Sequence, residues 1–201
     1  MAEAVRRESL QKVAREARAC RFCEARLLVK PRPVFLAGAT ARLLIVGQAP
    51  GRRVHETGLP WNDPSGDVLR EWLAIDRAAF YDTRRVAIVP IGLCYPGTVD
   101  GVDLPPCPDC APRWQPRFRA ALPRIELTLL VGSYAQAYYL GARRKASVAE
   151  TVRAWRTYLP QFFVLPHPSW RNKAWIARNP WFANVVIPAL RRRVHAILRT
   201  V

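Results

Sequence analysis

The chain has 201 residues, 32 Lys and Arg against 15 Asp and Glu, a formal net charge of +17, and an apolar half. That length carries one domain with a sizeable core, the apolar half excludes a disordered chain, and no run of about 20 apolar residues exists to span a membrane. The excess charge is mostly arginine, whose planar fork grips phosphate with two hydrogen bonds, so the expected partner is a polyanion and nucleic acid first; the alternative is a coding bias that raises Arg, Ala and Pro together.

The charged N-terminus lacks an apolar segment, which predicts no signal peptide and a cytoplasmic protein. Residues 4 to 19 predict a helix with Val5, Leu10, Val13 and Ala17 on its apolar stripe. It runs into Cys20-Arg21-Phe22-Cys23. Residues 34 to 36 read as a short extended piece. The first strand, Arg42 to Val46, stops at Gly47-Gln48-Ala49-Pro50-Gly51, and a polar run leads to Pro60-Trp61. A breaker-rich turn at residues 62 to 66 offers Asp63 or Ser65 as the cap of a helix over Asp67 to Ala74.

Val86 to Ile91 predicts a second buried strand, and residues 95 to 110 a loop closing on Cys107-Pro108-Asp109-Cys110. Helices follow over Pro112 to Leu122, Tyr134 to Leu140, 148 to 158 and Trp181 to Leu198. Strands three and four are Leu127 to Val131 and Phe162 to Leu165. Short apolar strands alternating with helices predict a three-layer α/β/α sandwich around a four-stranded, mainly parallel sheet, as a single domain over 1–201. The four strand ends then share one edge, where open α/β sheets bind ligands.

Two CxxC pairs and Cys94 account for the five cysteines. Cys20, Cys23, Cys107 and Cys110 fit a tetrahedral zinc site. Cys20, Cys23, Cys94 and Cys110 equally suit an iron–sulfur cluster. Of three histidines, His167 stands between two prolines after a strand, so its ring is aimed and suits an acid, base or anion stabiliser. Trp61, Trp170 and Trp175 lie in polar or Arg-rich segments, the composition of a surface that stacks bases and holds phosphates.

GQAPG after strand one, TGLPW downstream of it and HPSWRN after the last strand resemble the motifs of the uracil-DNA glycosylase superfamily. The cysteine placement resembles that of its iron–sulfur branch, family 4. The resemblance runs from about Cys20 to Asn172. It implies a 4Fe-4S cluster on Cys20, Cys23, Cys94 and Cys110, with Cys107 spare. It also implies that DNA containing uracil or abasic sites is the partner, bound by a monomer with no membrane association.

The resemblance further implies a base pocket of Gly47, Gln48, Ala49, Trp61, Pro90 and His167. A uracil flipped from the stack would have its carbonyl edge held by the GQAPG backbone, with Trp61 where the family has a stacking Phe. His167 would donate to O2 as the N-glycosidic bond breaks. Ser133, Ser169, Trp170, Arg171 and Asn172 would meet the DNA backbone and wedge the duplex. Three positions depart from the pattern. Ala49 stands where the best-known branch has Asp and Gln48 where family 4 has Glu, so the water-positioning group is open among His55, Gln48 and Asp63. Pro90 stands where the family reads uracil with Asn. No Lys sits in the motif loops to form a Schiff base, so a monofunctional glycosylase leaving an abasic site is expected. The alternative is a protein that binds uracil or abasic DNA with little or no turnover.

Overall fold

A computed structural model describes residues 8–199. The start of the first predicted helix, residues 4 to 7, lies outside them; the described helix, α1, is Leu10–Arg18, opened by a hydrogen bond from the Lys12 amide to the Ser9 side chain. Four strands build the main sheet: β1 (Leu43–Val46), β2 (Val86–Ile88), β5 (Leu127–Val131) and β6 (Phe162–Leu165). Their order is β2-β1-β5-β6 and every pairing is parallel. Every residue in them is buried, as expected of parallel strands covered on both faces.

The connections fix the layers. From β1 the chain moves outward to β2 through α2 (Arg52–Thr57), α3 (Pro64–Leu73) and α4 (Arg77–Tyr81). From β2 it crosses back over β1 to β5 through α5 (Cys110–Ala121), then reaches β6 through α6 (Ser133–Leu140) and α7 (Val148–Arg153). Right-handed crossovers in opposite directions put their helices on opposite faces. Accordingly α1 packs on α5 and α6 on β5, whereas α3 packs with the C-terminal helix α9 (Ile187–Arg199), which also touches β1. The direction of travel reverses between β1 and β5, which makes their carboxyl ends the switch point of the sheet.

The extended piece at 34 to 36 lies beside β2, with the Leu36 amide donating to the Ile88 carbonyl and the reverse bond at 2.7 Å. Several expectations change in detail. Strand two is regular only to Ile88, because Pro90 has no amide to give a ladder, although Val89 and Ile91 still donate to Ile45 and Gly47. The predicted helix over 148 to 158 is α7 followed by a separate 3₁₀ turn, Trp155–Tyr158. The last helix opens with a π-helical turn, Phe182–Val186, just upstream of Pro188, whose ring crowds the carbonyl one turn back. The 95 to 110 loop contains a hairpin, β3 (Thr98–Val99) with β4 (Val102–Asp103), turned at Asp100-Gly101. Both turn residues have positive φ, the backbone that Asp-Gly hairpin turns require. Helix α8 (Lys173–Arg178), like α2 and α4, lacks an apolar stripe long enough to read from sequence.

Candidate active site

The loop after β1 reaches the sheet's carboxyl edge and is fixed there by the chain leaving β2. The Ile91 amide donates to the Gly47 carbonyl at 3.0 Å and the Gly92 amide to the Gln48 carbonyl at 2.8 Å. Together these segments wall a pocket lined by Gly47, Gln48, Ala49, Pro50, Trp61, Asp63, Pro90 and His167, with Val54 and Ile88 beneath. The pocket opens into a wider groove that shares Gln48, Ala49, Asp63 and His167 and adds Ser169, Trp170 and Arg171 on one side and the Gly101–Leu104 hairpin arm on the other. Trp170 is 73% exposed and stands under the Arg171 guanidinium, 5.7 Å from the ring centre.

Trp61 is held from three directions. Its backbone takes a positive φ of 56°, its carbonyl accepts from the Arg70 guanidinium at 3.2 Å, and its indole stacks on the His167 ring at 5.5 Å between centroids. Two glycines make room for it. A Cβ on Gly66 would stand 1.8 Å from the Trp61 carbonyl oxygen, and one on Gly47 would stand 2.8 Å from the indole. Backbone cannot yield as a side chain can, so Gly66→Ala is expected to lower stability by about 1–3 kcal/mol, as overpacked sites do; urea unfolding checks this, and a wild-type midpoint would mean that the turn relaxes freely.

His167 follows β6 between the buried Pro166 and Pro168, and its carbonyl accepts from the Asn172 side-chain amide at 2.6 Å. Asn172 therefore braces the His167 loop. Burial holds the imidazole pKa below its ordinary 6.5, against an opposing pull from the Asp63 carboxylate. The ring is thus neutral at neutral pH. A depressed histidine contributes stability above the unfolded-state pKa and loses it as pH falls below 6.5 toward the folded value. Wild type should therefore lose more stability than His167→Gln over that acid window, measured by urea titration at stepped pH; parallel curves would remove this linkage.

Asp63 caps α3, accepting from the Gly66 amide at 2.8 Å, and also lines the pocket. Of the three groups open as water-positioning residues, Gln48 and Asp63 lie in the pocket with His167. His55 is not among the pocket-lining residues: it sits on α2 with its ring 5.8 Å from that of Tyr95, and its Nδ1 is buried without a hydrogen-bond partner. Ser133 begins α6 and lines a neighbouring cleft with His167 and Asn172.

Two residues that sequence reading passed over support the pocket. Gln115, 1% exposed on α5, donates to the carbonyls of Val89 and Pro90 and accepts from the Tyr139 hydroxyl at 2.7 Å. Its only sequence signal is a polar residue on an apolar helix face. Arg70, 8% exposed on α3, fixes the Trp61 carbonyl and stands within reach of the Tyr81 hydroxyl, which itself donates to Pro60.

All five cysteines line a second pocket behind this loop, with Leu93 and Trp114. None is in a disulfide. Burial and crowding by neighbouring sulfurs push the thiols of Cys94 and Cys110 up to about 11 and about 12, and that of Cys23 also upward. Such thiols stay protonated unless a cation takes the proton's place. Among the described residues no three His, Cys, Asp or Glu side chains close on a single-ion site. The two pockets are joined by Gly92, where a Cβ would meet Pro106 at 2.7 Å and Ala49 at 3.3 Å. Gly92 thus lies between the cysteine pocket it lines and Ala49 of the first pocket.

A solution structure from Methanosarcina acetivorans, described as "a putative Uracil DNA glycosylase", matches with a TM-score of 0.43 and 13% identity over 80% of this chain and 98% of that one. The family model of the uracil DNA glycosylase superfamily matches residues 33–191, a span that takes in β1, the pocket loop, the cysteine loop and the His167 turn. The chain belongs to the uracil DNA glycosylase superfamily.

Proposed function

We propose that this protein is a monofunctional uracil-DNA glycosylase that hydrolyses the N-glycosidic bond of deoxyuridine in DNA and leaves an abasic site. The observation that carries this is the meeting of His167, Trp61 and Asp63 with the GQAPG loop in one pocket at the switch point of the sheet. Base excision needs a flipped nucleotide, because the reacting bond is out of reach inside the duplex. The outer groove offers an exposed Trp170 to fill the gap and Arg171 to hold phosphate. Trp61 gives the extruded base an aromatic wall.

As the bond breaks, the uracil leaves as an anion. A neutral imidazole donor beside O2 stabilises that charge more than it stabilises the ground state, which lowers the barrier. The low pKa of His167 suits this role, since the ring donates a hydrogen bond without adding a net charge to the resting site. Asp63, lining the same pocket, orients the attacking water and lends negative charge to the electron-poor sugar. With Pro90 in place of an amide side chain, base selection falls to the backbone of residues 47–49 and to Gln48. The pocket-lining residues include no lysine, which supports hydrolysis by water rather than a Schiff base.

The test is base release. Purified protein is mixed with a labelled oligonucleotide carrying one uracil, then treated with alkali. Cleavage only after alkali supports the reading. Cleavage without alkali, or a borohydride-trapped adduct, overturns the monofunctional assignment. Ala49 and Pro90 in the pocket wall favour a second reading, binding of uracil or abasic DNA without turnover; tight binding with no release by excess protein establishes it.

We also propose a 4Fe-4S cluster as the resident cofactor, on Cys20, Cys23, Cys94 and Cys110. The donor set fits: the thiols line one pocket, unpaired by disulfides. When bound, the cluster supplies a structural cross-link between the segment after α1, the end of β2 and the start of α5. A brown protein absorbing near about 400 nm supports this, whereas zinc has a filled d shell and is silent.

A further inference from the structure

The His167 turn is a ridge between two hollows. On one side lie the base pocket and its outer groove; on the other lies an open cleft of about 700 Å³, lined by Ser133, Ser147, Asn172 and Trp175 among others. The chain straddles the ridge: Ser169 and Trp170 line the groove, Asn172 and Trp175 the cleft. Gly132 lets the end of β5 come against it. Its φ is +87°, its amide donates to the Leu165 carbonyl at 2.9 Å, and a Cβ there would stand 3.4 Å from that of His167. Trp175, on α8, is half-buried and firmly seated. Its ring meets those of Trp181 and Phe182 edge to face, each at 5.7 Å between centroids, and the Arg153 guanidinium lies 4.9 Å from the Trp181 ring centre. The run Arg143-Arg144-Lys145 leads directly to the Ser147 side of the cleft. Its backbone is fixed: the Arg143 carbonyl accepts from the Tyr158 hydroxyl at 3.0 Å, and the Lys145 amide donates to Thr151 Oγ1 at 3.1 Å. Arg144 and Lys145 are exposed and in no ion pair among the described residues, and the Glu150 carboxylate is engaged by Ser147 in the capping box of α7. An aromatic wall with unpaired cations at its rim is the arrangement that holds single-stranded nucleic acid.

We propose that this cleft binds the nucleotide next to the excised one on the same strand: its base stacks on Trp175, and Arg144 and Lys145 attract its phosphate. The proposal rests on the glycosylase reading above, which sets the flipped base against His167 on the other face of the ridge. A strand that crosses the ridge places one nucleotide in each hollow. Stacking in the cleft then offsets part of the unstacking that base flipping costs, and a single strand allows it without unpairing the neighbour.

The test is binding, read without turnover. The probe is a single-stranded oligonucleotide carrying 2′-fluoro-deoxyuridine, whose electron-withdrawing fluorine disfavours bond cleavage. Two further versions replace the base on its 5′ or its 3′ side with an abasic residue and keep every phosphate. Affinities are measured by fluorescence anisotropy, and circular dichroism reports the fold. Removing the neighbouring base on one side is expected to weaken wild-type binding about tenfold. Trp175→Leu should bind the intact probe about tenfold more weakly, yet bind the probe lacking that base as wild type does, because the two changes remove one contact. Arg144→Ala with Lys145→Ala, both on an exposed loop, should reduce the slope of log affinity against log salt by about one. Wild-type affinity indifferent to both neighbouring bases overturns the proposal, and so does an unchanged salt slope. A Trp175→Leu that weakens every probe equally gives Trp175 a merely structural role and also overturns it. If Trp175→Leu does not fold, the wild-type probe series and the loop variant decide. The glycosylase reading fails separately: a wild type that binds the probes but releases no uracil from an unmodified oligonucleotide overturns that reading, while the coupling between Trp175 and the neighbouring base still decides the cleft. A wild type that binds none of the probes overturns both.

Discussion

Replacing His167 with alanine is expected to lower single-turnover uracil release by roughly 10²–10³, the usual cost of removing one preorganised donor from a developing anion. The loop should survive the change. Its course is set by Pro166 and Pro168, and Asn172 holds the His167 carbonyl rather than the ring. The lost group is thus the imidazole and not its support. Loss of the Trp61 stack is the main side effect. Binding to a uracil-containing duplex, measured in parallel, separates the two: a chemical role lowers the rate far more than the affinity. A near wild-type rate would remove His167 from the reaction.

Asp63→Asn carries the second large effect. The amide oxygen can still accept from Gly66 and cap α3, and Asn caps as well as Asp, so stability should hold. The carboxylate's charge and basicity are lost. If Asp63 orients the water, base release should fall roughly a hundredfold or more, the scale of losing a positioned general base. A merely structural role predicts no such loss. A second readout is independent of activity. The Asp63 charge favours the imidazolium of His167, so removing it should move the His167 titration to still lower pH. An unchanged rate with a shifted titration would leave Asp63 as an electrostatic neighbour and pass the water to Gln48.

The parallel strands were legible because each is a short, apolar run, broken only by Thr128, that leads into Gly or Pro, a pattern that solvent-facing segments do not keep. The helices α2, α4 and α8 were not, because five or six residues are too few to show an apolar stripe. The β3–β4 hairpin did have a local signal in Asp100-Gly101, overlooked among the prolines around it. Gln115 and Arg70 were illegible for a different reason. Each acts by filling the hydrogen-bonding needs of a distant backbone, and no local pattern marks that.

The site residues divide in the same way. Local chemistry identified the loop after β1, the His167 turn and the cysteine pairs, since Gly, Pro, His and Cys at strand ends carry meaning wherever the strands are placed. Which of them meet is a matter of strand order. The order β2-β1-β5-β6 sets the Gly47 loop, the end of β2 and the His167 turn around one pocket, and brings Asp63 in with them. His55, closer to the loop in sequence than Trp61 is, turns on α2 toward Tyr95, because a short helix points successive residues in different directions. Composition and motif thus determine which chemistry the chain carries; long-range packing, whose contacts leave no mark in local sequence, decides which groups act together.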